Sequence, residues 1–291
     1  MTAAGTSLRN VLRKAIPPLS AAGIEDAAAD ARILASAAFG LSREDMLRDP
    51  DALLSMDVVS VFREMIGRRH AREPVSRILG KREFFSLEFE VVQATLDPRP
   101  DSETVVEAAL DIAKGVASDL RILDIGTGTG CLLLSAMHRL PAVHGVGTDI
   151  DPEAVACAGR NASTLGLADR VEFHSTTWTE GVKAPFDIVL SNPPYIPSED
   201  IPGLAPEVKE HDPTVALDGG VDGMEAYRML AKCIGPVLSP GGTVILETGP
   251  GQARRVATIF NAAGYRFDGS RRDLAGHERA LILSHDGGLQ R

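Results

Sequence analysis

Cysteine is scarce in this chain of 291 residues, which has only Cys131, Cys157 and Cys233. The three lie far apart, and none forms a Cys-x-x-Cys pair or lies in a histidine cluster with metal-ligand spacing. Cysteine-bound zinc requires such grouping, and disulfide frameworks belong to domains much richer in cysteine. The sequence therefore predicts a reducing compartment and no metal site.

Long apolar runs are also missing. No stretch approaches the roughly 18 apolar residues that a membrane span requires, and the N-terminus lacks the continuous apolar core of a signal peptide. We therefore expect a cytoplasmic protein that does not bind membranes.

Basic residues are outnumbered, with 30 Lys and Arg against 40 Asp and Glu and a formal net charge of -10. This balance disfavours proteins that hold a nucleic-acid backbone by counterion release, so we expect no stable nucleic-acid binding. A local basic patch at residues 68–72 remains. It is better explained as a solvated helix end whose cations face the C-terminal dipole.

Hydrophobic residues make up 44% and charged residues 24% of the chain, which predicts a folded globular protein with two domains. Residues 1–80 repeat apolar positions three and four apart, which predicts a small helical bundle. We expect Pro17-Pro18 to break its first helix and Gly40 to stop its second. Ser42 followed by Asp45 resembles the N-cap of a third.

Residues 81–100 partly alternate apolar and polar side chains, which predicts a β-hairpin linker. From Asp101 or Ser102, a candidate helix N-cap, strands and helices alternate to residue 291, as in an α/β sheet. The candidate strands are 121–125, 143–148, 171–174, 186–191, 243–248, 265–268 and 280–284. Ligands of such sheets bind beyond the carboxyl ends of the strands.

A glycine-rich turn follows the first of these strands and precedes an apolar helix. It consists of Gly126, Thr127, Gly128, Thr129 and Gly130. Glycines there permit positive φ and let the backbone approach a ligand, while free helix N–H groups face it.

Asp149 stands about twenty residues further on, at the end of the next strand, where a carboxylate can accept ribose hydroxyl protons. This spacing predicts a nucleoside cofactor but does not distinguish S-adenosylmethionine from NAD. Trp178, the only tryptophan, follows the third strand. Its ring either walls an adenine pocket or anchors the core.

The tetrapeptide Asn192-Pro193-Pro194-Tyr195 directly follows the strand at 186–191 and indicates methyl transfer to a planar amide or amine nitrogen. The Asn192 side-chain carbonyl can accept one N–H of an NH2 group, and the Pro193 carbonyl can accept the other. The two prolines hold these oxygens rigid, and Tyr195 can cover the acceptor and face a sulfonium. Catalysis would then be mostly positioning.

With these motifs the chain resembles the HemK/PrmC family over nearly its whole length. Four further blocks in the same order support the resemblance, at residues 73–80, 98–103, 216–223 and 273–279. The family methylates the side-chain amide nitrogen (N5) of the glutamine in the Gly-Gly-Gln loop of peptide chain release factors. Ser102 stands where threonine is usual.

The resemblance implies a Rossmann-like class I S-adenosylmethionine-dependent methyltransferase sheet over residues 101–291 and a helical domain that helps dock the release factor. It implies cofactor contacts for the glycine turn, Asp149, Trp178 and Asn192. It assigns the glutamine to residues 192–195.

Three other functions remain open on the sequence alone. Adenine-N6 DNA methyltransferases and some RNA methyltransferases share the tetrapeptide, a dehydrogenase would share the glycine turn and aspartate, and a non-catalytic module would bind cofactor without transfer. His211 and Asp212 could form an acid/base pair, but the resemblance makes them part of a loop that shapes the acceptor side.

Overall fold

Two compact units make up the chain in the computed structural model, which describes residues 6–114 and 119–285. The first contains Met1–Gly80 and Ala205–His211, and the second contains Lys81–Leu204 and Asp212–Arg291. The terminal residues of the predicted domains, and residues 115–118, lie outside the described residues. Within the described part, no helix combines the length and apolar composition needed to cross a bilayer.

The first unit is a helical bundle with one pair of two-residue strands. Its elements are β1 (Thr6–Ser7), α1 (Leu8–Ala21), α2 (Ala27–Phe39), α3 (Arg43–Arg48), β2 (Leu53–Leu54), α4 (Met56–His70), α5 (Val75–Leu79) and α9 (Pro206–Lys209). Its core is apolar, with Leu8, Leu34 and Val59 fully buried. The segment that contains α9 is therefore contributed from a distant part of the chain.

Two of the predicted helix boundaries in this unit are confirmed, and one is wrong. Gly40 ends α2 in the left-handed conformation, with φ of 63°. Ser42 and Asp45 form a reciprocal capping box at the start of α3. Pro17-Pro18, however, lies inside α1. The buried residues on both sides of the pair pack into the core and outweigh the loss of two backbone donors near the helix end.

Ion pairs occupy the basic stretch at residues 68–72. Arg69 is only 7% exposed and donates to Asp30 at 2.7 Å and to Glu207 at 2.9 Å. Arg72 donates to the other Glu207 oxygen at 2.6 Å, and Arg68 pairs with Glu73. These side chains therefore hold the α9 segment and the end of α4 in place, and they are not free to form a basic surface.

The second unit is built on one sheet, preceded by a hairpin. Its elements are β3 (Lys81–Phe84), β4 (Leu87–Glu90), α6 (Glu103–Ala113), β5 (Arg121–Ile125), α7 (Cys131–Arg139), β6 (His144–Asp149), α8 (Pro152–Thr164), β7 (Val171–Ser175), β8 (Phe186–Ser191), α10 (Glu225–Cys233), β9 (Leu238–Glu247), α11 (Ala253–Ala262), β10 (Arg266–Arg272) and β11 (Glu278–Ser284).

The seven strands of the sheet are arranged in the order β10-β11-β9-β8-β5-β6-β7. Strands β9, β8, β5, β6 and β7 run parallel, and β11 pairs antiparallel with both β9 and β10. Helices cover both faces, so β5 and β8 are buried apolar runs. The predicted α/β class is confirmed, and the chain order reverses at β5 and β8, where such sheets bind ligands.

The predicted strand bounds are correct for the buried central strands. They differ from the structure where irregular pairing with a neighbouring strand extends the ladder. Strands β5 and β8 match their predicted ranges. Strand β9 begins at Leu238, ahead of the predicted residue 243, because a register shift accommodates its Pro-Gly-Gly sequence within the ladder. Strand β10 continues to Arg272 because it pairs with β11 across another shift at Gly269.

Replacing Arg69 by alanine should lower the free energy of unfolding by about 2–3 kcal/mol, because Asp30 and Glu207 would lose a buried partner. Arg9→Ala is the matched control, since Arg9 and Asp51 form a pair with both side chains more than 60% exposed, and its loss should change the free energy of unfolding much less. Urea denaturation followed by circular dichroism measures both. Equal losses in the two variants would contradict the structural role of Arg69.

Candidate active site

A cavity of about 370 Å³ opens where β5, β6 and β8 end. Most of the predicted site residues line it. They are Gly126, Thr127, Gly128, Thr129, Asp149, Trp178, Asn192, Pro193 and Pro194. Gly130 and Tyr195 are outside the lining. The structure thus brings the glycine turn and the tetrapeptide, which are separated by about sixty residues in sequence, to one cavity.

The glycine turn is fastened to the neighbouring strand and to a buried carboxylate. The N–H groups of Gly126 and Thr127 donate to the Thr148 carbonyl at 2.8 and 2.9 Å. The Thr127 hydroxyl donates to Asp124 at 2.7 Å. Asp124 is fully buried, which raises its pKa to about 7. Sequence inspection missed Asp124, although its place as the fourth residue of β5 follows from the strand boundaries.

The glycines of this turn have two different functions. Gly126 and Gly128 have φ of 73° and 54°, and a Cβ at either would meet no atom within 4 Å. Their backbone conformation, rather than crowding within the protein, requires glycine. Gly130 begins α7, and a Cβ there would lie 2.9 Å from the Leu134 side chain. Gly130 also has a positive φ of 80°, so both its backbone conformation and the close packing behind the cavity favour glycine.

Asp149 lies at the end of β6 with its carboxylate across the turn. One oxygen accepts the Gly128 N–H at 2.9 Å, and the other accepts the Asp151 N–H at 3.0 Å. Burial raises the pKa of Asp149. Each carboxylate oxygen has two acceptor sites, so one on each oxygen remains for a vicinal diol.

Trp178 is half-buried at the cavity wall and packs against the core on its other side. Its φ is 55°, in the left-handed region that a bulky residue rarely occupies. Its carbonyl accepts the Thr148 hydroxyl at 2.8 Å, which ties it to β6. Both sequence-based interpretations of Trp178 are thus compatible with one position, and a contact with adenine stays a prediction.

The side-chain amide of Asn192 has its nitrogen hydrogen-bonded and its oxygen available. Its Nδ2 donates to the Ser102 hydroxyl oxygen at 3.3 Å. Among the described residues, no donor is hydrogen-bonded to the Asn192 side-chain oxygen or to the Pro193 carbonyl oxygen. Two acceptors on the cavity wall are thus available for the two hydrogens of an amide NH2 group.

Tyr195 points away from the cavity. Its hydroxyl donates to the buried Glu247 carboxylate at 3.4 Å, and its ring packs with the core. Its carbonyl accepts the side-chain amide of Gln252 at 2.8 Å. The predicted role of Tyr195 as a cover for the acceptor remains a prediction, while its contacts in the structure show a residue that anchors the tetrapeptide.

A second segment of backbone pairs with the residues that follow the prolines. The Ile196 N–H donates to the Leu217 carbonyl at 3.0 Å, and the Ile196 carbonyl accepts the Gly219 N–H at 2.8 Å. A Cβ at Gly219 would lie 2.8 Å from the Tyr195 Cα and 2.9 Å from the Pro194 carbonyl oxygen. The glycine block at residues 216–223 therefore fits closely against the tetrapeptide.

Asp212 forms an ion pair with an arginine side chain of the cavity wall. It is nearly buried and accepts Arg99, which lines the cavity, at 2.6 Å. It also accepts the Asp97 N–H at 3.3 Å. Asp212 is thus an ion-pair partner of Arg99. The proton-transfer role considered for His211 and Asp212 stays a prediction.

Comparison with known proteins agrees with this geometry. The PrmC N-terminal domain family matches residues 10–80, and the methyltransferase small domain family matches residues 108–203. The release factor glutamine methyltransferase of Bradyrhizobium diazoefficiens is 46% identical over 280 residues, which cover 95% of this chain and 94% of the relative. The chain belongs to the release factor glutamine methyltransferase family.

Other members of the release factor glutamine methyltransferase family show similar coverage. The protein of Rhodospirillum rubrum is 46% identical over 264 residues, which cover 91% of this chain and 81% of that protein. A solved structure from Alicyclobacillus acidocaldarius, described as a release factor-specific protein-(glutamine-N5) methyltransferase, is 28% identical. It covers 65% of this chain and 94% of its own, with a TM-score of 0.40.

The cavity fits S-adenosylmethionine, the cofactor of this family. Its volume is in the range of small-ligand sites. The open glycine turn, the two remaining acceptor sites on Asp149 and the apolar wall at Trp178 suit the methionine, ribose and adenine portions of S-adenosylmethionine. The residues that line the cavity are therefore compatible with this cofactor.

Asp149→Asn should weaken S-adenosylmethionine binding about tenfold to a hundredfold, because a charged acceptor of two hydroxyl groups is lost, a change of roughly 1.5–3 kcal/mol. Isothermal titration calorimetry measures the Kd. Glu153→Gln, on the first turn of α8 and outside the cavity lining, is the control and should bind normally. Unaltered affinity in Asp149→Asn would refute the ribose contact.

Gly219→Ala should lower kcat by about a hundredfold, because the new methyl group meets backbone atoms and displaces the acceptor oxygens. Gly159→Ala in α8 is the control, since a Cβ there meets nothing within 4 Å; it should keep activity and gain about 0.5–1 kcal/mol of stability. Steady-state kinetics and thermal unfolding separate the two effects. A fully active Gly219→Ala variant would contradict the fit.

Proposed function

We propose that this protein transfers a methyl group from S-adenosylmethionine to the side-chain amide nitrogen (N5) of the glutamine in the Gly-Gly-Gln loop of peptide chain release factors. The observation that carries the proposal is the single cavity that holds both the cofactor turn and the acceptor oxygens of Asn192 and Pro193. The family relationship identifies the class of acceptor.

An amide nitrogen is a poor nucleophile because its lone pair is delocalised into the carbonyl, so the site must supply orientation. The Asn192 side-chain oxygen and the Pro193 carbonyl oxygen would each accept one hydrogen of the glutamine NH2 group. Pro193 and Pro194 have fixed φ and hold both oxygens rigid. When bound, S-adenosylmethionine supplies the electrophilic methyl group. Oriented approach of this kind can supply roughly 7–11 kcal/mol of the barrier.

The helical unit of the chain supports a protein acceptor. The helical unit matches the PrmC N-terminal domain family, and we assign it to docking of the release factor. The protein would act in the cytoplasm, where translation termination takes place. Nucleic-acid methylation is the weaker alternative, because the charged groups lining the cavity are four carboxylates and one guanidinium, Asp149, Asp151, Asp218, Glu225 and Arg99.

The function is tested by offering the purified protein labelled S-adenosylmethionine together with release factor, duplex DNA or RNA. We expect label only in the release factor, and mass spectrometry of its tryptic peptides should place a single added methyl group on the glutamine of Gly-Gly-Gln. A release factor with that glutamine replaced by alanine is the control substrate. Label in nucleic acid alone would overturn the proposal.

Asn192→Ala should lower kcat by about 10²–10³, equivalent to roughly 2.7–4 kcal/mol, because one oriented acceptor of the amide is removed. Binding of S-adenosylmethionine, measured by calorimetry, should fall much less. Asn261→Ala, at an exposed position of α11, is the matched control and should leave both quantities unchanged. Normal turnover in Asn192→Ala would eliminate the proposed acceptor role.

A further inference from the structure

Arg99 brings a positive charge to the wall of an otherwise acidic cavity. It belongs to the loop between β4 and α6, and among the described residues that line the cavity it is the only Lys or Arg. The other charged lining residues are four carboxylates, Asp149, Asp151, Asp218 and Glu225. A cation in such a place suits a ligand group that carries a negative charge.

The backbone of Arg99 is fixed on both sides. The residue lies between Pro98 and Pro100, with φ of -103° and ψ of 137°. Proline has a fixed φ and restricts the residue before it to extended conformations. The Arg99 carbonyl also accepts the Ser102 N–H at 3.0 Å. The side chain of Arg99 therefore extends from a rigid support.

A buried carboxylate uses only part of the Arg99 guanidinium. The Arg99 Nη2 donates to Asp212 at 2.6 Å. The Arg99 side chain is 39% exposed, whereas the Asp212 side chain is 2% exposed. Within the part of the chain that the structure describes, Asp212 is the one acceptor hydrogen-bonded to this guanidinium, which has five N–H donors. Donors therefore remain for a ligand.

Another arginine of the same unit already bridges two carboxylates. Arg279 donates its Nε to Asp273 and its Nη2 to Asp101, each at 3.0 Å. The planar guanidinium allows this because its donors point along different edges. Arg99 has the first of two such partners in Asp212, and its exposed donors are open to a second.

The glycine turn has few N–H groups left for a carboxylate on a ligand. Four of its five N–H groups already donate within the protein, and they belong to Gly126, Thr127, Gly128 and Gly130. Their acceptors are backbone carbonyl oxygens and the Asp149 carboxylate. A ligand carboxylate therefore needs donors from another part of the cavity wall.

The position of Arg99 in the sheet matches the methionine end of the cofactor. Asp149 and Trp178, which suit the ribose and the adenine, follow β6 and β7 on one side of β5. Arg99 is bonded through its carbonyl to Ser102, and the Ser102 hydroxyl accepts the amide of Asn192 after β8, on the other side of β5. In S-adenosylmethionine the α-carboxylate lies at the end of the molecule remote from the adenine.

We propose that Arg99 binds the α-carboxylate of the methionine portion of S-adenosylmethionine, while Asp212 holds the guanidinium in position. Arg99 is thus a specificity-determining residue that distinguishes the complete cofactor from adenosyl compounds without this carboxylate. No bond is made or broken at Arg99. The inference depends on the cofactor and not on the methyl acceptor, so its tests need no release factor.

Decarboxylated S-adenosylmethionine, which lacks only this carboxylate, is the probe. Isothermal titration calorimetry of the wild-type protein should give a Kd about tenfold to a hundredfold higher for this compound than for S-adenosylmethionine. In Arg99→Ala, the affinity for S-adenosylmethionine should fall by a similar factor, because the carboxylate loses its charged donor. The affinity for the decarboxylated compound should stay the same or rise, because that cationic ligand then meets one cation fewer.

Arg254→Ala on α11 is the matched control. It removes an exposed arginine outside the cavity lining and changes the net charge by the same amount, so both Kd values should stay unchanged. Arg99→Gln is the second variant, because its NH2 group can still donate to Asp212 if the alanine protein fails to fold. It should show the same selective loss, with a melting temperature without ligand close to that of the wild type.

Three results would overturn the inference. They are a wild-type protein that binds both compounds equally, an Arg99→Gln protein that keeps the wild-type preference, and a folded variant that loses affinity for both compounds by the same factor. The second result would assign the carboxylate to the N–H groups at the start of α7. Failure of the proposed function looks different, because methylation of another acceptor by the wild type would leave all these Kd values as they are.

Discussion

The geometry of the site depends on the contacts that fix the backbone of Asn192-Pro193-Pro194-Tyr195. Strand β8 delivers it to the sheet edge, Ile196 pairs with residues 217–219 on one side, and Gln252 binds the Tyr195 carbonyl on another. Prolines cannot contribute backbone donors, so this segment cannot be stabilised by a regular ladder. Its rigidity comes instead from close packing against the glycine backbone at residue 219 and from hydrogen bonds at its ends.

The cofactor half and the acceptor half of the site are formed by different kinds of contact. The cofactor half is formed by local geometry, since the glycine turn and Asp149 lie at the ends of adjacent parallel strands. The acceptor half is formed by tertiary contacts that join the turn before α6, the loop after β8 and the end of β9. A shared cavity between them brings donor and acceptor groups together, which is what a reaction limited by orientation requires.

The sequence predicts the parts of the molecule that depend on local pattern. These parts are strands β5 and β8, the glycine turn and Asn192. Each is recognisable because a buried strand and the turn that ends it have a characteristic residue pattern within a few positions. The contacts of Ser102 with Asn192 and of Glu247 with Tyr195 are not recognisable in this way, because a serine before a helix usually caps it and a glutamate at a strand end usually faces solvent. The prediction that Pro17-Pro18 breaks the first helix is wrong, because burial of the residues on both sides of the pair outweighs the helix-breaking tendency of proline.

The acidic character of the cavity lining has a consequence for turnover. A sulfonium is cationic, whereas the thioether that remains after it gives up its methyl group is neutral at sulfur. Carboxylates such as Asp149 and Asp151 within a partly enclosed site lower the electrostatic potential there. This wall therefore interacts more favourably with the cationic methyl donor than with the thioether that remains.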